Sequence, residues 1–274
     1  MNMPLRWDLV TPDQLGTMLD DVETPEIWYL DELAECAGKV LARSGNGDLV
    51  FVGRSLDSMY DLLGGALQGA DRVLQRLPVS FVRGREAAPD EVRRVREMAA
   101  EIGITPRSLA RRERPVTFVD VVWAGGTFEK LFTVLDDWID EERETWPAIR
   151  RKLRFVGVTS RTGTSPNARR WHEGADWIHR LPSSSVLSVS LEPFVWNYLG
   201  NTQTKLTWSY QLHRWREYLR EAKRDEHTRI ALAEAVHLVA LGRTKEVQRK
   251  IARAMDGEPA LSEPWLRTLR SRLT

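Results

Sequence analysis

The chain has 274 residues, with 42% hydrophobic and 29% charged side chains, the composition of a globular protein able to bury a sizeable core without disulfides. Forty Lys and Arg against thirty-nine Asp and Glu give a net charge of +1, so no whole-chain excess points to nucleic acid or a membrane surface. One cysteine, Cys36, excludes an intrachain disulfide and any multi-cysteine zinc site; with no signal-like start and no apolar run of about 20 residues, a reducing, cytoplasmic setting is expected.

In chain order, the first 44 residues read as helical. Thr11-Pro12-Asp13-Gln14 and Thr24-Pro25-Glu26 are two helix starts with Pro at the first helical position, the second helix running from Glu26 to Ala42. Ser44-Gly45-Asn46-Gly47 breaks it. Strands and helices then alternate. Asp48–Gly53 is an apolar run of the kind buried on both faces of a sheet, followed by a polar turn at residues 54–58 and a helix over Met59–Gln68. Pro78–Val82 is a second strand candidate. Residues 83–114 are Arg-rich, with a helix at Asp90–Ile102. Pro115–Val122 is a third strand, and a tight turn at Ala124–Thr127 leads into a helix from Phe128 to Glu144. Leu153–Thr159 and Ser185–Val189 complete the set. Strands alternating with helices predict an α/β fold, a parallel sheet flanked by helices, with helical additions at both ends. Binding residues in such folds collect just after the strands.

Residues 205–274 read as a separate helical extension to a 1–204 α/β domain. They carry 15 Lys and Arg against 9 Asp and Glu. Tyr210–Lys223 and Thr228–Leu241 are its clearest helices, and Gly242 is a natural stop. Alternating Arg214, Glu217 and Glu221 suit a solvated helix face, whereas Leu232–Leu241 suits docking on the main domain or on a partner chain.

The segment with chemistry is Val116-Thr117-Phe118-Val119-Asp120-Val121-Val122-Trp123-Ala124-Gly125-Gly126-Thr127. A buried strand ends in an acid; a loop of small residues and a helix start follow. Glycines let backbone N–H groups close on an anion, and the helix start adds free N–H groups and its positive dipole end. A phosphate fits there, with Asp120 on the sugar side of it. An ordinary strand-to-helix turn is the bland alternative.

This segment resembles the phosphoribosyl-diphosphate signature of type I phosphoribosyltransferases. Asp120 takes the place of the second of that family's two adjacent acids, and Ala124, Gly125, Gly126 and Thr127 that of its 5′-phosphate loop. Val119 stands where the first acid belongs. Val50–Met59 is similar to the family's pyrophosphate turn, with Arg54 and Ser55 in it, and Ser80–Arg85 to the start of its mobile loop. The resemblance covers roughly residues 48–160 and implies Asp120 and Arg83 as catalytic residues, and Arg54, Ser55, Arg83 and Arg85 on pyrophosphate. It implies transfer of a phosphoribosyl group, Mg²⁺ carried in with the substrate rather than by the protein, and phosphoribosyl diphosphate or a nucleoside monophosphate as the ligand, in a chain free to form a homodimer. Val119 keeps a second reading open, a nucleotide sensor without catalysis. A third is a nucleic-acid-associated protein acting through residues 205–274. Arg111, Arg112 and Arg114 precede the third strand and belong at its opposite end. Thr162, Asn167, His172, Asp176 and His179 follow the fourth strand, in a segment that reads as a surface loop or as part of an acceptor pocket. Trp171, Trp177 and Trp196 read as base-stacking or packing residues, and Trp123 as a wall or underlay of the ribose pocket.

Overall fold

The computed structural model describes residues 6–81, 84–161, 171–209 and 224–274. Five strands form one all-parallel sheet: β1 (Asp48–Val52), β2 (Leu74–Leu77), β3 (Val116–Val121), β4 (Leu153–Ser160) and β5 (Val186–Leu191), in the spatial order β2-β1-β3-β4-β5. The fold is therefore α/β, as the alternating pattern predicts. All five residues of β1 are buried, as a strand covered on both faces requires.

The second strand is β2 at 74–77, not Pro78–Val82. Its Leu-Gln-Arg-Leu sequence does not announce a strand, because an edge strand has one neighbour and tolerates polar residues. Pro78, lacking an N–H, lies just past it, and Phe81 belongs to the connecting loop.

Strand residues alternate between two apolar layers. Leu49, Phe51, Val119, Val158 and Val189 face a layer containing α1 (Leu30–Arg43), α2 (Asp57–Ala66), α8 (Glu226–Gly242), α9 (Lys245–Arg253) and α10 (Pro264–Leu273). Val50, Phe118, Phe155 and Val186 face the other, with α3 (Pro89–Glu101), α4 (Pro106–Arg111), α5 (Gly126–Glu141) and α6 (Trp146–Ile149). A short α7 (Pro193–Asn197) follows β5. The helices after residue 225 thus share the core of the sheet, which is the docking alternative for Leu232–Leu241; the helix expected at Tyr210–Lys223 lies outside the described residues.

The N-terminal expectation needs two corrections. Pro12–Leu15 is a single 3-10 turn, and α1 starts at Leu30 rather than Glu26. Ile27 and Tyr29 are drawn into the core, and the Tyr29 hydroxyl donates to Glu234 of α8, so tertiary anchoring overrides the Thr-Pro start signal.

Gly242 also differs from its expected role. It is the last helical residue rather than the residue after the helix, and it serves packing. A Cβ there would lie 2.1 Å from the Leu62 carbonyl oxygen of α2, and one at Gly65 would lie 2.0 Å from that of Val239. The two helices meet backbone to backbone. Gly65→Ala must push them apart and is expected to cost about 3 kcal/mol, read as a lowered urea midpoint at unchanged slope.

Candidate functional site

Strand order reverses at β1: the chain leaves β1 for β2 on one side and returns to β3 on the other. In open parallel sheets the crevice beyond the carboxyl ends of two such strands is the usual ligand site. Two chain segments meet there, the turn after β1 at residues 53–56 and the loop after β3 at residues 122–125.

The loop after β3 is built to expose backbone. Gly125 has φ +77° and forms the N-cap of α5, whose 16 residues begin at Gly126; the Glu129 N–H bonds back to the Gly125 oxygen at 3.0 Å. Below the loop lies the Trp171 indole, 7% exposed, its Nε1 donating to Ser188 Oγ at 3.0 Å. A Cβ on Gly125 would sit 2.5 Å from that ring, and one on Gly157 of β4 2.7 Å from its Nε1. The ring is therefore a floor between two glycines. Above Gly126 nothing lies within 4 Å of a built Cβ. A cleft of about 500 Å³ opens over residues 121–127, walled by Phe81, Gly84 and Lys130.

Asp120 pairs in register with Gly157 near the end of β3 and is 6% exposed. Its Oδ1 accepts the Val121 N–H at 2.8 Å. It is not among the residues that line the cleft, although its neighbour Val121 is. Burial holds its carboxyl well above the usual range, opposed by the Val121 hydrogen bond and by the charge of Lys205. Val119, at the first-acid position, points to the opposite layer and is fully buried among apolar side chains.

The turn after β1 carries Arg54 and Ser55 to the neighbouring strand end, but both are engaged by residues far along the chain. Arg54 Nη1 donates to the Thr207 carbonyl at 2.5 Å, and Lys205 Nζ donates to the Ser55 carbonyl at 3.1 Å and to the Gln203 side chain. Burial pushes the Lys205 ammonium down to about 8, against the attraction of Asp57. Asp57, the first residue of α2, pairs with Arg76 of β2 at 3.1 Å.

Arg85 is engaged in an ion pair with Glu91, whose other oxygen accepts the Ala88 N–H at 2.8 Å at the start of α3. Its carbonyl accepts from Lys130 Nζ of α5 at 2.6 Å, which ties this loop to the cleft wall. Arg83, Thr162 and Asn167 lie outside the described residues. Arg112 and Arg114 both pair with Asp48 at the start of β1, the end of the sheet remote from the cleft, as their place before β3 predicts. Trp171 and Trp177 are core residues. Trp196 donates to the Val158 carbonyl at 2.9 Å, with the half-exposed Trp123 ring 5.9 Å away. His172 is half-buried beside Trp171, while Asp176 and His179 sit exposed in a 3-10 turn.

Gln203, Lys205 and Thr207 are the site-adjacent residues that sequence reasoning missed. Their segment lies more than forty positions beyond β4 and carries no motif; its only signal is a lone lysine before a Trp-Ser-Tyr run. Among the described residues no group of three or more His, Cys, Asp or Glu is gathered to hold a metal, and no helix is long and apolar enough to cross a membrane.

The fold defines a class: a doubly wound parallel α/β protein with a glycine-ended loop at its switch point. Compared with known proteins, the chain matches no family model, no curated protein and no solved structure.

Proposed function

We propose that the cleft over residues 121–127 binds the 5′-phosphate of a phosphoribosyl compound. One observation carries this reading: a left-handed glycine, packed on a tryptophan floor, turns the chain from a switch-point strand into a 16-residue helix under an open cleft. Ala124, Gly125, Gly126 and Thr127 supply N–H groups to the phosphate. Asp120, 6% exposed and next to the lining residue Val121, is assigned the sugar-side carboxyl, which a ligand reaches by displacing part of its cover; burial favours its protonated form.

A second reading adds chemistry: transfer of the phosphoribosyl group, with Arg54, Ser55, Arg83 and Arg85 on the pyrophosphate. The observation in its favour is that Asp120 and Arg54 lie at the ends of adjacent strands. Mg²⁺ would enter with the diphosphate and neutralise charge on the leaving group. The described residues gather no cluster of their own for the ion, and no step is routed through it. Val119 in the apolar core favours binding without transfer, because the carboxylate that would grip the second hydroxyl is missing.

Incubation with phosphoribosyl diphosphate, Mg²⁺ and a panel of bases separates the two. Saturable binding without pyrophosphate release is the expected result; stoichiometric release with base consumption would establish transfer. No binding by any phosphoribosyl compound would refute both.

A further inference from the structure

We infer that the segment from Gln203 to Thr207 fills the diphosphate side of this crevice with protein, so that the site selects phosphoribosyl monoesters, such as ribose 5-phosphate or a nucleoside 5′-monophosphate, over phosphoribosyl diphosphate. This inference rests on the proposed phosphate loop and names the ligand class of that site.

A ligand anchored by its phosphate over residues 124–127 extends along the strand ends toward β1. A second phosphate group at the far end of the sugar needs donors from the turn after β1. The turn's cationic donor is engaged and its surface is covered. Arg54 bonds the Thr207 carbonyl at 2.5 Å, and the Lys205 side chain is packed over the turn with its Nζ on the Ser55 carbonyl at 3.1 Å. Diphosphate would have to displace both contacts and find room where Lys205 now lies.

The covering segment is firmly seated. Gln203 is 8% exposed, and its Nε2 donates to Ser58 Oγ at 2.7 Å, to the Tyr29 hydroxyl at 3.2 Å and to Glu234. Leu206 is 7% exposed and packs with Leu9, Leu232 and Val239. Little space remains under the segment: the void beside Gln203, Lys205 and Leu206 is about 20 Å³, against about 500 Å³ over the phosphate loop. The acids around Lys205 are also committed, Asp57 to Arg76, Asp61 to Arg6, and Glu234 to Tyr29, Tyr198 and Gln203. A buried cation with satisfied neighbours is a wall rather than a waiting ligand site.

The test is titration calorimetry of the full chain with ribose 5-phosphate, nucleoside 5′-monophosphates and phosphoribosyl diphosphate in Mg²⁺-containing buffer, repeated on Arg54→Met. Ribose 5-phosphate is expected to bind at least ~10-fold tighter than phosphoribosyl diphosphate, and Arg54→Met is expected to leave that preference in place; equal affinities for the two would overturn the inference. Diphosphate binding ~10-fold or more tighter than ribose 5-phosphate, with the advantage lost in Arg54→Met, would overturn the inference and leave the phosphate loop intact. Diphosphate that is ~10-fold tighter in both proteins would overturn it equally, placing the second phosphate elsewhere. Absence of heat with ribose 5-phosphate itself would remove the loop reading, and this inference with it.

Discussion

Asp120→Asn is expected to make the protein more stable and less able to bind. The buried carboxyl has its folded-state pKa raised above its unfolded value, chiefly by burial. Its stabilising contribution is present below the unfolded pKa, about 3.9, and is lost as pH rises through the folded value. At neutral pH the wild-type chain therefore carries the cost of keeping this acid out of water. Each pH unit of elevation is worth about 1.4 kcal/mol, and for a chain of this size 1 kcal/mol moves Tm by about 2–4 °C. Asparagine keeps the shape and an oxygen for the Val121 N–H but has no charge to desolvate. Its Tm advantage should be clear at pH 7 and vanish near pH 4. Ribose 5-phosphate affinity should fall by ~10-fold or more, because the amide replaces the sugar-side acid. A variant that is no more stable at pH 7 would show that the carboxyl is solvated; a stabilised variant that binds as before would remove Asp120 from the site.

Gly125→Ala should be the most damaging small change in the cleft. The position has φ +77°, which costs a side-chain-bearing residue about 1–3 kcal/mol, and the new methyl meets the Trp171 ring at 2.5 Å. Overpacking adds about 1–3 kcal/mol, for a total near 2–6 kcal/mol and a Tm loss of roughly 10 °C. The neighbouring Gly126→Ala is the contrast. Open space surrounds its Cβ, so stability should change by under about 0.5 kcal/mol, while the methyl enters the volume assigned to phosphate and weakens binding by ~10-fold. If Gly126→Ala binds ribose 5-phosphate normally, the anion does not sit on this helix start. Thermal melts and calorimetry on the same two variants separate scaffold from contact.

The sequence displays its central strands because they are buried on both faces and must be continuously apolar: Asp48–Val52, Val116–Val121 and Leu153–Ser160 fall where hydrophobic runs predict. The glycine loop is legible for a related reason, since few residues can turn a strand into a helix in so short a space. What stays hidden is whatever depends on distant partners. β2 is half polar because it lies at an edge. α1 begins at Leu30 because Tyr29 reaches Glu234 across 205 positions. Gly242 looks like a stop signal and is a packing device. The segment over the turn after β1 is the largest omission: Arg54 looks like a residue waiting for pyrophosphate until Thr207, 153 positions later, is found on its guanidinium.

The glycine contact between α2 and α8 also limits how the turn after β1 can move. α2 starts one residue beyond the turn after β1, and at its other end Gly65 and Gly242 remove the side-chain cushion that normally lets helices slip. The two helices are in direct main-chain contact there. Any tilt of α2 must therefore be accommodated at a main-chain contact with α8, where no flexible side chain is present to take it up.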